Sequence, residues 1–186
     1  SYSEIKLNNT AVIIDTLSNL NTRNGYLNVI TEVLDPPVDN IYDLLVKHGG
    51  YTKMLSLFEQ HGFLSYLKDS LVTILVEPDV VLNDEEYGID TETIGDIKGW
   101  LAYHIIQGER SFTGELDGRY IKTLYPGDGI TFNFNNSKSS MYCNQQDYLS
   151  AMADYRIDIN ALNGVYNSMD CLFNTPDAAT DGARVE

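Results

Sequence analysis

The hydrophobic pattern over residues 39–68 has the spacing of short amphipathic helices. Apolar or partly apolar side chains recur three and four positions apart, which places them on one face of a helix. The predicted faces are Ile41, Leu44, Leu45 and His48 in a first helix, Tyr51, Met54, Leu55 and Phe58 in a second, and Phe63, Leu64 and Leu67 in a short third turn. Asp39 is the predicted cap of the first helix, which ends at Gly49-Gly50, and Gly62 ends the second. Helices of this kind pack on one another and on a sheet.

The rest of the chain carries mostly strand patterns. Residues 71–76 form an unbroken apolar run of the length expected for a buried strand. From residue 111 onward the period changes to two, which predicts strands at 112–116, 119–124, 130–135 and 140–143. Between these regions we predict a helix that opens on a capping box at Thr93 to Asp96 and runs to Gln107. We also predict a short helical insertion at 145–154.

A stretch near the C-terminus occurs a second time, loosely, near the N-terminus. Residues 163–176 read NGVYNSMDCLFNTP, and residues 24–37 read NGYLNVITEVLDPP. The copies share Asn-Gly at the start, Asn at the fifth place and Pro at the fourteenth, and they lie 139 positions apart. Asn-Gly favours a sharp turn, and the crowded apolar residues after it predict a strand covered on both faces. A strand at 11–16 and a turn at 19–25 are predicted before the first copy.

The repeat indicates how the chain is divided. Its period is that of a whole module rather than of a short solenoid repeat. The run Asp35-Pro36-Pro37 disfavours helix and stiffens the backbone, so we predict a boundary at residue 37. Residues 38–176 are then one domain, and residues 177–186 are a flexible tail. Residues 1–37 are either the tail of a preceding module or an N-terminal hairpin extension, and the sequence does not decide between these.

The repeated stretch resembles the closing motif of fasciclin-like domains. That motif joins Asn-Gly to alternating apolar residues and a following Asp. Asn163, Gly164 and Asp170 match it, and Asn24 and Gly25 match its beginning in the first copy. We expect these residues to have structural roles.

The repeated stretch also departs from the family pattern at one place. The histidine that usually follows Asn-Gly is Asn28 in the first copy and Asn167 in the second. Any property that depends on that histidine is therefore not carried over. Upstream of the second copy, Asp158 and Ile159 resemble the Asp-Ile pair that often precedes the motif.

A second stretch resembles the other fasciclin motif, in which a Thr and several apolar residues lead to a Pro and a polar residue. Thr73, Leu75, Pro78 and Asp79 match it. Glu77 stands where the family more often has a small or polar residue, so the match is partial. These residues too are expected to be structural.

Residues 101–108 resemble the Tyr-His segment of the family, which is implicated in receptor binding in some animal members. Tyr103 and His104, together with Asp158 and Ile159, are therefore the candidate interaction residues. His104 also lies on the apolar face of its predicted helix. We favour a hydrogen-bonded core residue as the interpretation of His104.

The resemblance covers about residues 40–176, with the tail of a second unit before it. It implies an α+β fold, a fasciclin-like β-sandwich or wedge with several helices packed on the N-terminal half. It also implies an adhesive role at a cell surface. The Asn and Tyr enrichment of the chain suggests a bacterial surface lipoprotein, in the periplasm or outer membrane, more than an animal matrix protein.

The net charge of the chain restricts the classes of partner that it can bind. The 186 residues carry a formal net charge of −15, which repels nucleic acid and anionic membranes. Protein surfaces, matrix components and neutral glycans remain as partners. No apolar run approaches the roughly 18 residues of a membrane span, so any lipid anchor lies outside this sequence. The chain begins with Ser rather than Met, which fits a processed or trimmed chain.

No catalytic or metal-binding pattern is present in the sequence. None of the three histidines lies in a metal-ligand spacing, and no nucleophile elbow, phosphate loop or dinucleotide fingerprint occurs. The acidic stretch 83–93 lacks the spacing of a calcium loop, so a solvated loop is favoured. Cys143 and Cys171 are either bridged or, as we favour, two buried thiols. We expect a non-catalytic surface adhesion module without a cofactor or metal; the alternative is a glycan- or small-ligand-binding protein on the same scaffold.

Overall fold

The computed structural model describes residues 6–7, 11–83, 96–127, 129–135, 140–143, 146–149 and 156–169. The chain divides into two compact units, an N-terminal unit, Ser1–Val38, and a main unit, Asp39–Glu186.

The N-terminal unit contains two short antiparallel strand pairs. Their strands are β1 (Lys6–Leu7), β2 (Ala11–Val12), β3 (Leu20–Thr22) and β4 (Gly25–Leu27). The predicted strand at 11–16 is wrong beyond Ile13, which still forms a β-bridge with Ile30, because a 3-10 turn forms at Asp15–Leu17. The predicted turn at 19–25 is narrower than expected, since residues 20–22 already pair as β3.

The main unit alternates helices and strands before it becomes mostly β. In chain order it contains α1 (Ile41–His48), α2 (Thr52–Gln60), α3 (Leu64–Lys68), β5 (Val72–Val76), α4 (Asp79–Leu82), α5 (Ile97–Tyr103), β6 (Ile105–Gln107), α6 (Thr113–Leu116), β7 (Tyr120–Lys122), β8 (Gly129–Asn135), β9 (Ser140–Cys143), β10 (Gln146–Leu149), β11 (Ile159–Ala161) and β12 (Gly164–Ser168). The three helices predicted over residues 39–68 are confirmed. Asn40 rather than Asp39 caps α1, because the Asn40 side chain accepts a hydrogen bond from the Asp43 N–H at 2.9 Å.

The central sheet has the strand order β11-β12-β5-β6. β12 and β5 run parallel, and the other neighbours are antiparallel. All five residues of β5 and all five of β12 are buried, so the prediction that both runs are covered on both faces is confirmed. Each strand therefore needs packing partners on both sides of the sheet.

The two faces of the central sheet pack against different layers. Val72, Ile74 and Val76 belong to one buried cluster with apolar residues of α1, α2 and α3. Leu75, on the opposite face of β5, belongs to a second cluster with residues of a second sheet, including Ile130. That second sheet is antiparallel with the order β10-β9-β8-β7. The main unit thus has helices on one face of the central sheet and a second sheet on the other.

The prediction of one helix running to Gln107 is wrong. The helix ends at Tyr103, and Ile105 and Ile106 instead pair with Ile74 and Thr73 as strand β6. Ile105 and Ile106 belong to opposite core clusters, so both faces of this segment require an apolar residue. At the other end, the Asp96 side chain caps the helix by accepting from the Gly99 N–H at 2.8 Å.

Two further element predictions are wrong. Residues 113–116 form helix α6 rather than a strand, because carboxylates satisfy the N–H groups where it begins: Glu115 accepts from Phe112 and Asp158 from Thr113. Residues 146–149 form strand β10, paired with β9, rather than part of a helical insertion. The strands predicted at 119–124, 130–135 and 140–143 are confirmed as β7, β8 and β9, although β7 is shorter.

Several predicted features lie outside the described residues. These are most of the acidic stretch 83–93, the opening of the predicted capping box, Asp170, Cys171 and the tail at 177–186. Cys143 lies on β9, and the pairing of the two cysteines stays a prediction.

Candidate functional site

The Asn-Gly of the closing motif joins three elements of the main unit. The Oδ1 atom of Asn163 accepts from the Ile41 N–H at 2.9 Å, where α1 begins. Its Nδ2 atom donates to the carbonyl oxygens of Leu67, in the last turn of α3, at 3.0 Å and of Ser70, just after α3, at 3.1 Å. Asn163 therefore holds both ends of the helical region to the start of β12, which is a structural role that goes beyond that of an ordinary turn.

Gly164 allows β12 to approach β5 closely. Its φ is +155°, and a Cβ atom placed on it would lie 1.8 Å from the carbonyl oxygen of Val72. Only glycine fits this position. In the N-terminal unit, Asn24 and Gly25 lie at the β3–β4 turn, where the Thr22 hydroxyl donates to the Gly25 carbonyl oxygen at 2.8 Å.

Asn167 and Asp158 fix the strand that enters the closing motif. The Oδ1 atom of Asn167 accepts from the Asp158 N–H at 2.8 Å. The Asp158 carboxylate accepts from the Thr113 N–H at 2.7 Å and from the Thr113 hydroxyl at 2.6 Å. Burial raises the pKa of the Asp158 carboxyl, and the hydrogen bonds from Thr113 oppose that rise. Ile159 next to it is partly buried, so this pair connects β11 to α6 within the structure.

The second motif is also structural. The Thr73 hydroxyl donates to the Glu109 carbonyl oxygen at 3.0 Å and accepts from the Ser111 N–H at 2.9 Å. Asp79, directly after Pro78, accepts from the N–H groups of Thr52 and Lys53 at 2.9 and 2.8 Å, and so caps α2 from outside that helix.

Tyr103 and His104 are fully buried. The Tyr103 hydroxyl donates to the Gly129 carbonyl oxygen at 3.0 Å. His104 lies 2.7 Å from the Trp100 carbonyl oxygen through Nδ1 and 2.8 Å from Glu77 Oε1 through Nε2. The interpretation of His104 as a hydrogen-bonded core residue is confirmed. Neither side chain reaches solvent in this structure, so a role in binding a partner stays a prediction.

A cleft of about 300 Å³, which we call the Arg156 cleft, is a concavity that the sequence patterns did not identify. It is lined by His48, Gly49, Gly50, Tyr51, Pro78, Val80, Arg156 and Ser168. The Arg156 guanidinium donates to the carbonyl oxygens of Gly49 at 2.8 Å and His48 at 3.0 Å. The Tyr51 hydroxyl donates to Ser168 Oγ at 3.1 Å, and the Arg156 guanidinium carbon lies 5.3 Å from the centre of the Tyr51 ring.

The loop after α1 shapes this cleft. Gly49 and Gly50 have φ values of +69° and +78°, a region that favours glycine. The turn lets the carbonyl groups of His48 and Gly49 bind Arg156, while the Gly50 carbonyl accepts from the Asp79 N–H at 2.7 Å. The Gly-Gly pair predicted as a helix stop therefore also forms one wall of the cleft.

Arg156 and His48 are the basic residues among those that line the cleft. Burial, Arg156 and Lys47 lower the pKa of His48, and Asp39 opposes this only in part. Burial raises the pKa of Tyr166, whose hydroxyl contacts His48 Nδ1. A neutral imidazole can accept a hydrogen bond from the Tyr166 hydroxyl at Nδ1 and keep an N–H at Nε2. The cleft then offers hydrogen-bond donors beside a guanidinium.

We expect His48 to titrate below its ordinary pKa, and the Arg156→Gln variant to raise that pKa because a repelling cation is removed. Since the lowered pKa belongs to the folded state, the unfolded chain binds the proton more readily below about pH 6.5, and the free energy of unfolding falls as pH drops through that range. An NMR titration of the His48 ring measures the pKa directly. Arg119→Gln, which removes a cation that does not perturb His48, should leave it unchanged; equal shifts in both variants would contradict this account.

A second cleft, of about 360 Å³, lies between α1 and α2 and shares Gly49, Gly50 and Tyr51 with the first. Its other lining residues are Tyr42, Leu45, Val46, Thr52, Leu55, Ser56 and Glu59. Val46 in this cleft and Val80 in the Arg156 cleft are 54% and 67% exposed, so apolar side chains face solvent at both. Residues 48–51, 156 and 168 are too far apart in sequence for any local spacing to have linked them.

The described ranges hold neither a metal-type cluster nor a membrane-spanning helix. No cluster of three or more His, Cys, Asp or Glu side chains suited to a metal occurs among those residues. Over the same part of the chain, no helix has both the length and the hydropathy needed to cross a membrane.

The chain is similar to known proteins in sequence and in fold. No family model matches the chain. Stabilin-2 of Rattus norvegicus is 23% identical over 199 residues, a match that covers 95% of this chain and 13% of stabilin-2. The solved structure of a FAS1 domain pair from the insect cell adhesion molecule fasciclin I matches with a TM-score of 0.59 and 16% identity, over 90% of this chain and 60% of that one. The chain thus spans less than two thirds of either relative.

The structural likeness agrees with the two motif stretches, which lie side by side as the parallel strands β5 and β12. Thr73 pairs with Val165 in that ladder, one residue after the Asn163-Gly164 turn. The α+β architecture of helices, central sheet and second sheet is the one that the sequence resemblance implied. The chain has a fasciclin-like fold.

Proposed function

We propose that this chain is an extracellular adhesion or interaction module, which binds a protein or matrix component at a cell surface and has no catalytic role. The likeness to a FAS1 pair from a cell adhesion molecule supports this function. The motif residues support it indirectly, because they are engaged in holding the fold together. The partner then has to be bound by a different surface.

The observation that carries the proposal is the pair of clefts meeting at Gly49, Gly50 and Tyr51. Together they combine exposed apolar side chains on α1 and α4 with the Arg156 guanidinium and a tyrosine. Protein interfaces are enriched in this combination of aromatic, apolar and Arg groups.

The test uses two site variants and a matched control. Val46→Lys and Val80→Lys each place a charge at the mouth of one cleft, on residues exposed enough for the fold to tolerate it. We expect each to weaken binding to an immobilised matrix or cell-surface protein at least about tenfold, or ~1.4 kcal/mol. Leu162→Lys makes the same change at a side chain that is 60% exposed and lines neither cleft. Binding that all three variants weaken equally would contradict the assignment.

A second candidate function is binding of a glycan or other small polar ligand. It is favoured by the hydrogen-bonding groups of the Arg156 cleft, which His48, Tyr51 and Ser168 supply beside one guanidinium. A glycan array with the purified chain, alongside cell and matrix attachment assays, separates the two functions. Saturable sugar binding that Val80→Lys abolishes, without attachment to protein, would replace the first function with the second.

A further inference from the structure

The hairpins at which the two copies of the repeat begin have matching backbone features. β3 and β11 each span three residues, and their ends are related by the offset of 139. β4 and β12 begin at Gly25 and Gly164, which are related by the same offset and have φ values of +156° and +155°. The equality of offset in both strands shows that the hairpins correspond residue by residue.

One side-chain hydrogen bond is also repeated. Asn19 and Asp158 precede their hairpins, and they are the non-glycine residues with positive φ among those described, at +58° and +56°. The N–H of each donates to the Oδ1 atom of the fifth-place asparagine, Asn28 at 2.9 Å and Asn167 at 2.8 Å. The donors are again 139 positions apart. The N-terminal unit therefore reproduces the closing hairpin of a fasciclin-like module, including its less common backbone conformation.

The surroundings of the two hairpins differ. In the main unit, β12 lies between β11 and the parallel strand β5, and its residues are buried. Among the described residues of the N-terminal unit, β4 pairs with β3 alone. Leu20, Tyr26 and Leu27 are 52%, 72% and 49% exposed. The corresponding positions on β11 and β12 are Ile159, Val165 and Tyr166, of which the last two are buried.

Gly25 and Gly164 differ in what lies beside them. A Cβ on Gly164 would lie 1.8 Å from the Val72 carbonyl oxygen, whereas a Cβ on Gly25 meets nothing within 4 Å. At φ near +155° an L-residue is strained, so the backbone favours glycine at both positions. At position 164 the close approach of β5 also requires glycine, whereas Gly25 has no such neighbour within 4 Å. Within the described residues no strand pairs with the outer edge of β4, and an edge of this kind with exposed apolar residues beside it favours pairing with another strand.

We propose that the outer edge of β4, together with the exposed side chains of Leu20, Tyr26 and Leu27 on the two faces of the hairpin, docks a fasciclin-like module that precedes this sequence in the full-length protein. The occupant is the strand of that module equivalent to β5, running parallel to β4 in the register that Gly164 and Val72 show. Because β5 is buried on both faces, the occupying strand is apolar throughout. The N-terminal unit completes the sheet of that module. The match to 60% of a FAS1 pair, more than one half of a two-domain chain, agrees with this assignment.

Hydrogen exchange tests the proposal on the natural protein with its preceding segment, compared with the 186-residue chain. We expect the β4 amides to exchange at least ~100-fold more slowly in the longer protein, because a second ladder protects them. Gly25→Ala should abolish that protection in the longer protein, as the added Cβ would then meet a strand. In the 186-residue chain the same variant should leave exchange in the main unit unchanged.

Two results would overturn the proposal. Equal exchange of the β4 amides in both proteins would show that no strand from a preceding module covers them. Protection in the 186-residue chain that rises with protein concentration, together with a dimer in sedimentation, would show that a second copy of this chain is the occupant instead.

Discussion

Gly164→Ala is expected to be the most destabilising small substitution in the main unit. The added Cβ would lie 1.8 Å from the Val72 carbonyl oxygen and 2.9 Å from its carbon, and both belong to the backbone of a buried parallel strand that cannot rotate away. Strained backbone costs about 1–3 kcal/mol, and overpacking of this kind costs about as much again. We therefore expect a loss of roughly 4 kcal/mol in the free energy of unfolding, a large part of the stability of a domain this size.

Urea unfolding followed by tryptophan fluorescence measures this loss cleanly. Trp100 is the single tryptophan of the chain, it is 3% exposed, and it belongs to the main unit. Gly25→Ala is the matched control, because its φ is the same and its Cβ meets nothing within 4 Å. The control should leave the Trp100 transition unchanged. A Gly164→Ala transition within about 0.5 kcal/mol of the parent, the range of ordinary surface changes, would contradict the close approach of the two strands.

The elements that the sequence predicted most accurately are those whose hydrophobic pattern follows directly from burial. β5 is covered by helices on one side and by the second sheet on the other, and its nearly continuous apolar run reflects that directly. The α1 and α2 faces are recorded by spacing in the same way. The Asn-Gly pair predicted a turn, but its larger role depends on Ile41, Leu67 and Ser70, partners 93 to 122 residues away.

The elements that the sequence mispredicted are those decided by distant partners. Residues 105–107 continue a helical spacing, yet the open edge of β5 pairs with them, so tertiary hydrogen bonds outweigh local propensity. Likewise, α6 begins where Asp158, 45 residues later, satisfies the Thr113 N–H. The Arg156 cleft belongs to the same class. Its cation and its Gly-Gly loop meet across 107 positions, and neither residue type is a signal by itself.

Glu77 and His104 form a buried pair, and we expect its loss to lower the free energy of unfolding strongly. Both side chains are fully buried, and the Trp100 carbonyl oxygen can only accept, so His104 Nδ1 donates to it. One proton must then lie between His104 Nε2 and Glu77 Oε1, which are 2.8 Å apart. Glu77→Ala removes one partner and leaves a buried imidazole nitrogen without it. We expect a loss of about 3–5 kcal/mol in the free energy of unfolding, the range for breaking a buried pair.

Glu77→Gln distinguishes the loss of the charged partner from the effect of the cavity that Glu77→Ala leaves behind. The Gln amide can donate to Nε2 of a neutral imidazole in nearly the same space, so we expect it to retain most of the stability that Glu77→Ala loses. Lys47→Ala removes the exposed pair between Lys47 and Asp39, 3.1 Å apart, and should cost less than about 1 kcal/mol because solvent screens it. The same Trp100 transition measures all three variants. Equal losses from Glu77→Ala and Lys47→Ala would mean that Glu77 does not hold the end of β5 to His104, and that the strand is fixed by its backbone ladder alone.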